Sequence, residues 1–144
     1  MLSIETIRQT SDDKVATAIR WFLAIIFVMT GVMKLFVPAL AEAFSGQLIA
    51  AGLPLYTISL WSVPFAEIGV EIVMALGLYA RLAAVVIIAI MTVATYVHIV
   101  VADPSLFPLQ PSEPIIPLGV IVLCFYLVWK GAGSGSSDLS ASRQ

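Results

Sequence analysis

Two carboxylates four residues apart, Glu67 and Glu71, lie in a segment that is otherwise apolar: from position 55 to 79 they are the only ionisable groups apart from tyrosines. Residues four apart on a helix share one face. A charged side chain at membrane depth costs several kcal/mol, so each carboxyl needs a cation, a proton of its own, or water beside it. Two further groups fall in apolar runs, Lys34 and the single histidine, His98. An amine, two carboxyls and an imidazole at similar depth suit three kinds of chemistry: proton exchange, hydrogen bonding to the head of a membrane-dissolved quinone, or ion pairs that lock helices together.

Several chemistries are excluded. One histidine cannot supply both axial ligands of a bis-His haem, and His98 with Glu67 and Glu71 makes too weak a donor set for a metal site to be expected. The sequence has no P-loop, no nicotinamide or flavin dinucleotide fingerprint and no nucleophile-base signature, so no catalytic residue is named. Cys124 is the one cysteine. Alone it forms no internal dithiol couple, and it reads as a small apolar residue of a buried run.

The elements that hold these groups are read from hydropathy. Hydrophobic residues make up 60% of the 144 and charged residues 11%, with mean hydropathy +1.05. Soluble domains are about one quarter charged, so this is an integral membrane protein, all-α, with the lipid bilayer as its partner and no nucleic acid expected. Residues 1–19 form a polar N-terminal cap, with Ser11, Asp12 and Asp13 marking a helix start before Lys14. Apolar runs predict four spans at about residues 20–37, 55–79, 82–101 and 114–130. Between the first two, residues 39–52 read as a short interfacial helix ended by Gly52. Ala39, Leu40 and Ala41 also fit a small-x-small cleavage pattern after an apolar core, against which Lys34 interrupts that core. Pro64 frees one carbonyl a turn before Glu67, Arg81 falls in a tight turn, and residues 103–113 carry three prolines in a loop. Residues 131–144 are Gly/Ser-rich and read as a flexible tail.

Four spans place both termini on one side. Arg8, Lys14, Arg20, Arg81, Lys130 and Arg143 fall on that side and Lys34 alone toward the other. The positive-inside rule makes that side cytoplasmic, in a multi-pass protein of the bacterial inner membrane. Taking Arg20 and Arg81 as cytoplasmic-boundary markers, Lys34 and Glu67 are each fourteen residues away, or roughly 21 Å at about 1.5 Å per residue. His98 comes at roughly 25 Å and Glu71 at roughly 15 Å. Lys34 and Glu67 are thus the expected ion pair, with His98 just above. Glu71 has no evident partner and is expected either to hold a proton, as desolvation and a neighbouring carboxylate require, or to be reached by Arg20 from below.

At these residues the chain resembles the DoxX family of small bacterial membrane proteins. The matching pieces are Gly31-x-x-Lys34-Leu35, Phe44 with Gly52-Leu53-Pro54, Ala66-Glu67 with Gly77 and Arg81, then Met91, His98 and the closing Gly131-Ala132-Gly133 with Ser137-Asp138. The resemblance implies a four-helix membrane bundle and speaks against cleavage before residue 42. Related DoxD proteins are associated with thiosulfate:quinone oxidoreductase or a terminal quinol oxidase. This chain departs from the family in having Glu71 where glycine is usual. The resemblance therefore implies a membrane subunit of a quinone-linked oxidoreductase system, with quinone as cofactor, a soluble or membrane redox partner, and homo-oligomers among the expected assemblies. Two other functions fit the residues as well: a small proton- or cation-coupled transporter using Glu67 and Glu71, and a non-catalytic assembly or anchoring subunit. The sequence identifies no substrate, partner or oligomeric state.

Overall fold

The computed structural model describes residues 7–142. Every regular element among them is helical. Helix α1 (Lys14–Phe36) starts where Asp13 accepts hydrogen bonds from the Val15 and Ala16 amides, at 2.8 and 3.1 Å, satisfying two of the four donors a helix leaves open. Pro38 cannot extend that hydrogen-bonded ladder but suits a first helical position, so α2 (Pro38–Ala50) begins there. It ends before Gly52 in the left-handed region, φ +61. Helix α3 (Tyr56–Ala75) continues through Pro64, and α4 (Ala80–Val100) follows a turn in which Gly77 and Tyr79 both have positive φ. A short 3-10 turn (Pro104–Leu106) and a proline-rich loop lead to α5 (Ile115–Lys130) and the small α6 (Ser137–Ser142).

Three helices, α1, α3 and α4, are long and apolar enough to cross a membrane. Helix α5 has 16 residues, about 24 Å of rise against a hydrocarbon core of about 30 Å. Many large apolar side chains point outward, among them Ile25, Phe36, Trp61, Phe65 and Val122. An outer surface of this kind is stable against lipid and not against water. Inside, Leu23 and Phe27 of α1, Met74 of α3, Ile87 and Met91 of α4, and Cys124 of α5 share one core. Packing is closest within the pairs α1 with α3 and α4 with α5, and sparser between α1 and α5.

Several expected boundaries move. The first helix does start at Lys14, as Ser11, Asp12 and Asp13 mark it, and so runs six residues ahead of the apolar span, whereas α3 stops at Ala75 instead of 79 because the left-handed Gly77 ends it. Arg81 lies in the first turn of α4, not in the connecting turn, and its Nη2 donates to the Trp129 carbonyl at 3.2 Å. The largest correction is the tail. Residues 131–142 are not a flexible end. Gly131, Ala132 and Gly133 are buried, and Gly133 donates from its amide to Thr10 Oγ1 at 3.0 Å. The buried Asp138 accepts from the amides of Tyr79 and Ala80 at 3.1 Å each and pairs with Arg8 Nε at 3.1 Å. Gly131 and Gly133, which look like linker composition, hold positive φ where a Cβ would strike Thr10 at the first and Asp13 or Thr17 at the second, so close contact requires them. Arg143, counted with the basic boundary residues, lies outside the described residues.

Candidate functional site

The polar residues of the spans separate into two levels. At the Arg20 end, the buried Arg20 turns its Nη1 onto the carbonyls of Met74 (3.3 Å) and Ala75 (2.5 Å). A cation on the last carbonyls of a helix satisfies open acceptors and opposes the negative end of its dipole. Arg20 is therefore a cap for α3 and makes no hydrogen bond to Glu71, so of the two alternatives for that carboxyl the one in which Arg20 reaches it is not realised. With Asp138 at the start of α4, both sides of the α3–α4 turn are capped by charge of the right sign.

Further along, α1 and α3 meet at Gly31. A Cβ there would come within 2.7 Å of Ile68 Cγ1 and 3.2 Å of the Pro64 carbonyl oxygen. Only a glycine admits this approach. Three residues on from Gly31 and from Pro64 stand Lys34 on α1 and Glu67 on α3, on the same helix faces. Lys34 Nζ reaches Glu67 Oε1 at 2.7 Å and Oε2 at 2.8 Å. Glu67 is nearly fully buried, whereas a quarter of the Lys34 side chain remains accessible. The ammonium also lies 5.0 Å from the centroid of the Phe44 ring, close enough for cation–π attraction. Phe44 thus contributes α2 to the site.

Lys34 and Glu67 line one side of a cavity of about 990 Å³ between α1, α2, α3, α4 and α5. His98 lines it from α4 but does not join the ion pair. Its Nδ1 lies 2.9 Å from the Ser112 carbonyl oxygen, and its ring sits 4.4 Å from that of Phe107. A carbonyl oxygen only accepts, so Nδ1 carries the proton and Nε2 is the ring atom left for another partner. Four more polar side chains stand on the wall, Thr30, Gln47, Ser59 and Gln110, and nothing local in the sequence distinguishes them from other helix, loop and interface residues. Gln47 donates to the Leu106 carbonyl at 2.5 Å, fastening α2 to the 3-10 turn. Glu71 lies one turn from Glu67 toward the Arg20 end, fully buried and away from the cavity lining. Neither of its carboxyl oxygens has a hydrogen-bond partner among the described residues. Among the described residues no group of three or more His, Cys, Asp or Glu side chains is arranged to hold a metal ion.

The site thus offers a hydrogen-bonded ammonium–carboxylate pair and an imidazole on the wall of a mostly apolar chamber. Such a combination suits a ligand with a hydrogen-bonding head and a hydrocarbon body. A family model, DoxX, matches residues 15–99, 85 of the 144 residues. No curated protein and no solved structure matches the chain.

Proposed function

This chain belongs to the DoxX family, and on that premise we propose that it is a membrane subunit of a quinone-linked oxidoreductase system, holding quinone in the cavity beside Lys34, Glu67 and His98. The observation that carries the proposal is the wall of that cavity: ionisable groups able to exchange protons, set in an otherwise apolar chamber of ligand size. A quinone supplies two-electron, two-proton redox chemistry, the electrons coming from or passing to a redox partner subunit. The chain's own share is positional. Lys34 has one N–H beyond the two aimed at Glu67, and that donor suits a carbonyl oxygen of the head. His98 Nε2 suits a hydroxyl, and the Lys34–Glu67 pair stands ready to hold a proton at the wall.

In the same proposal all four long helices span the inner membrane, α5 with Trp129 and Lys130 at the surface, while α2 lies in the opposite interface. Both termini are cytoplasmic. The system assembles with a soluble or membrane redox partner, and homo-oligomers are compatible with it.

Gentle extraction followed by mass spectrometry of retained small molecules tests this. Quinone at near one per chain in the wild type, reduced in Lys34→Met, is the expected result. A protein that retains none, and binds no added decylubiquinone, refutes it. Glu71 favours one other function, a proton-coupled transporter, since a buried carboxyl one turn from Glu67 lacks any hydrogen-bond partner among the described residues. Proton flux in liposomes without quinone, lost in Glu71→Gln, decides for it.

A further inference from the structure

The cavity is long as well as large, and its two ends differ. Along α1 its wall extends from Phe22 to Lys34, twelve residues or about 18 Å of helical rise. The ionisable and amide side chains, Lys34, Glu67, His98, Gln47 and Gln110, gather toward one end. Toward the Arg20 end the wall is apolar, formed by Leu23, Phe27, Met91, Val120 and Leu123. A head alone would leave this lower part unfilled.

The chamber also has a side opening. Helices α1 and α5 are tied together at the Arg20 end, where Tyr126 donates to Asp13 Oδ2 at 3.0 Å, and pack sparsely above it. Between them the wall is formed by Phe22 and Ile26 on one side and by Ile116, Gly119 and Leu123 on the other. Phe22, Ile116 and Gly119 are exposed as well as lining the cavity. A Cβ added at Gly119 would meet nothing within 4 Å. The glycine is therefore not there for helix packing, and it leaves an unobstructed gap about one turn from the Ile115 start of α5, where an outward face meets lipid.

We infer that the cavity is a two-part lipid site, with a head position at Lys34, Glu67 and His98 and a tail channel that opens sideways into the bilayer between α1 and α5 at Gly119. The inference rests on the proposed function and narrows it: the ligand is a long-tailed amphiphile that enters from the membrane, not a water-soluble ring compound arriving through the loops. The helix pair α4–α5 and the pair α1–α3 act as two walls, and the tail occupies the seam between them.

The test compares two probes in lipid nanodiscs, decylubiquinone and its tail-less counterpart 2,3-dimethoxy-5-methyl-1,4-benzoquinone, with binding read by quenching of intrinsic tryptophan fluorescence. Gly119→Phe places a ring in the channel, and Gly69→Phe is its control, because Gly69 is also free of neighbours but lies off the cavity. Partitioning of each probe into lipid cancels in the ratio between variants. Gly119→Phe is expected to weaken decylubiquinone by about tenfold, the effect of overfilling a packed site, and to leave the tail-less probe unchanged. Gly69→Phe leaves both unchanged. Equal effects of Gly119→Phe on the two probes, or none on either, overturn the tail channel while the head site stands. Failure of the wild type to bind either probe refutes the quinone function itself. Should Gly119→Phe not fold, a decyl-tailed quinone with a photoreactive diazirine at the tail end gives the answer on the wild type. Labelling of residues 22–27 and 119–123 supports the channel, and labelling of residues 108–110 overturns it.

Discussion

Replacing Lys34 by Met removes the cation from a carboxylate that is 3% accessible and has no other ion-pair partner among the described residues. Breaking a buried pair from one side costs about 3–5 kcal/mol, because the remaining charge stays desolvated. Lys34 is 24% accessible, so the pair is not fully dry and the lower figure applies, about 3 kcal/mol. Glu67→Leu leaves the opposite charge, but a lysine on a flexible stem at a cavity wall can turn toward water, and the cost is about 1–2 kcal/mol. The double variant buries no charge and fills similar volume, so it loses about 1 kcal/mol or less. The two single costs would add to about 4–5 kcal/mol, which leaves a coupling of about 3 kcal/mol, at the upper end for residues in contact. Loss of the Lys34–Phe44 contact occurs in both Lys34→Met proteins and drops out of the cycle. For a chain of this size about 3 °C of Tm corresponds to 1 kcal/mol. Thermal unfolding in detergent should therefore show Lys34→Met about 9 °C below wild type and the double variant within about 3 °C. A coupling below about 0.5 kcal/mol would mean that the pair contributes nothing specific and that the approach of α1 to α3 at Gly31 has another purpose.

Asp138→Ala strips the acceptors from two amides at the start of α4 and frees Arg8, so it should cost about 2 kcal/mol and raise hydrogen exchange at Tyr79 and Ala80 selectively; unchanged exchange there contradicts the cap. Asp13 is held below the ordinary carboxylate value of 3.8, chiefly by its bond from the Ala16 amide, with the Tyr126 hydroxyl, the Val15 amide and Lys130 adding to it. A lowered folded value means that its stabilising contribution is complete above about pH 4 and is lost as pH falls through the folded value, so Asp13→Asn should flatten the Tm decline below pH 4, as a thermal series from pH 5 to 2.5 will measure. Infrared spectra of Glu71→Gln subtracted from wild type are expected to contain a carboxylic-acid band at neutral pH; carboxylate bands alone would give Glu71 a counter-ion. Single cysteines placed in residues 103–113 should label from the periplasmic side only, and labelling from the cytoplasm alone would invert the topology.

The central pair was legible in the sequence because helix geometry is nearly rigid: fourteen residues from Arg20 and fourteen from Arg81 bring Lys34 and Glu67 to the same height whatever the loops do. Gly31, three residues before Lys34, stands in the motif, but the chain alone does not say that it faces Pro64 and Ile68. His98 is expected just above the pair and lines the same cavity, yet its bond to Ser112 depends on how a proline-rich loop folds back, which no periodicity encodes. Arg20 read as a surface charge because composition cannot distinguish an arginine facing headgroups from one turned inward onto Met74 and Ala75. Residues 131–142 were misread for a related reason. Gly and Ser are as common in tight packing as in free linkers, and only the partners Thr10, Asp13 and Thr17 separate the two. The cavity was beyond sequence reading altogether, since it belongs to the space between helices and to no segment.

The latch formed by Gly133 on Thr10 and by Asp138 on the start of α4 joins residues separated by 123 and 58 positions. Its second half is synthesised only after every long helix has been made. Until then the first amides of α4 have no carboxylate to accept them, and Arg8 waits for a partner that has not been made. A chain that stops after Lys130 has every helix needed for the core but an open base, and residues 131–138 are what close it.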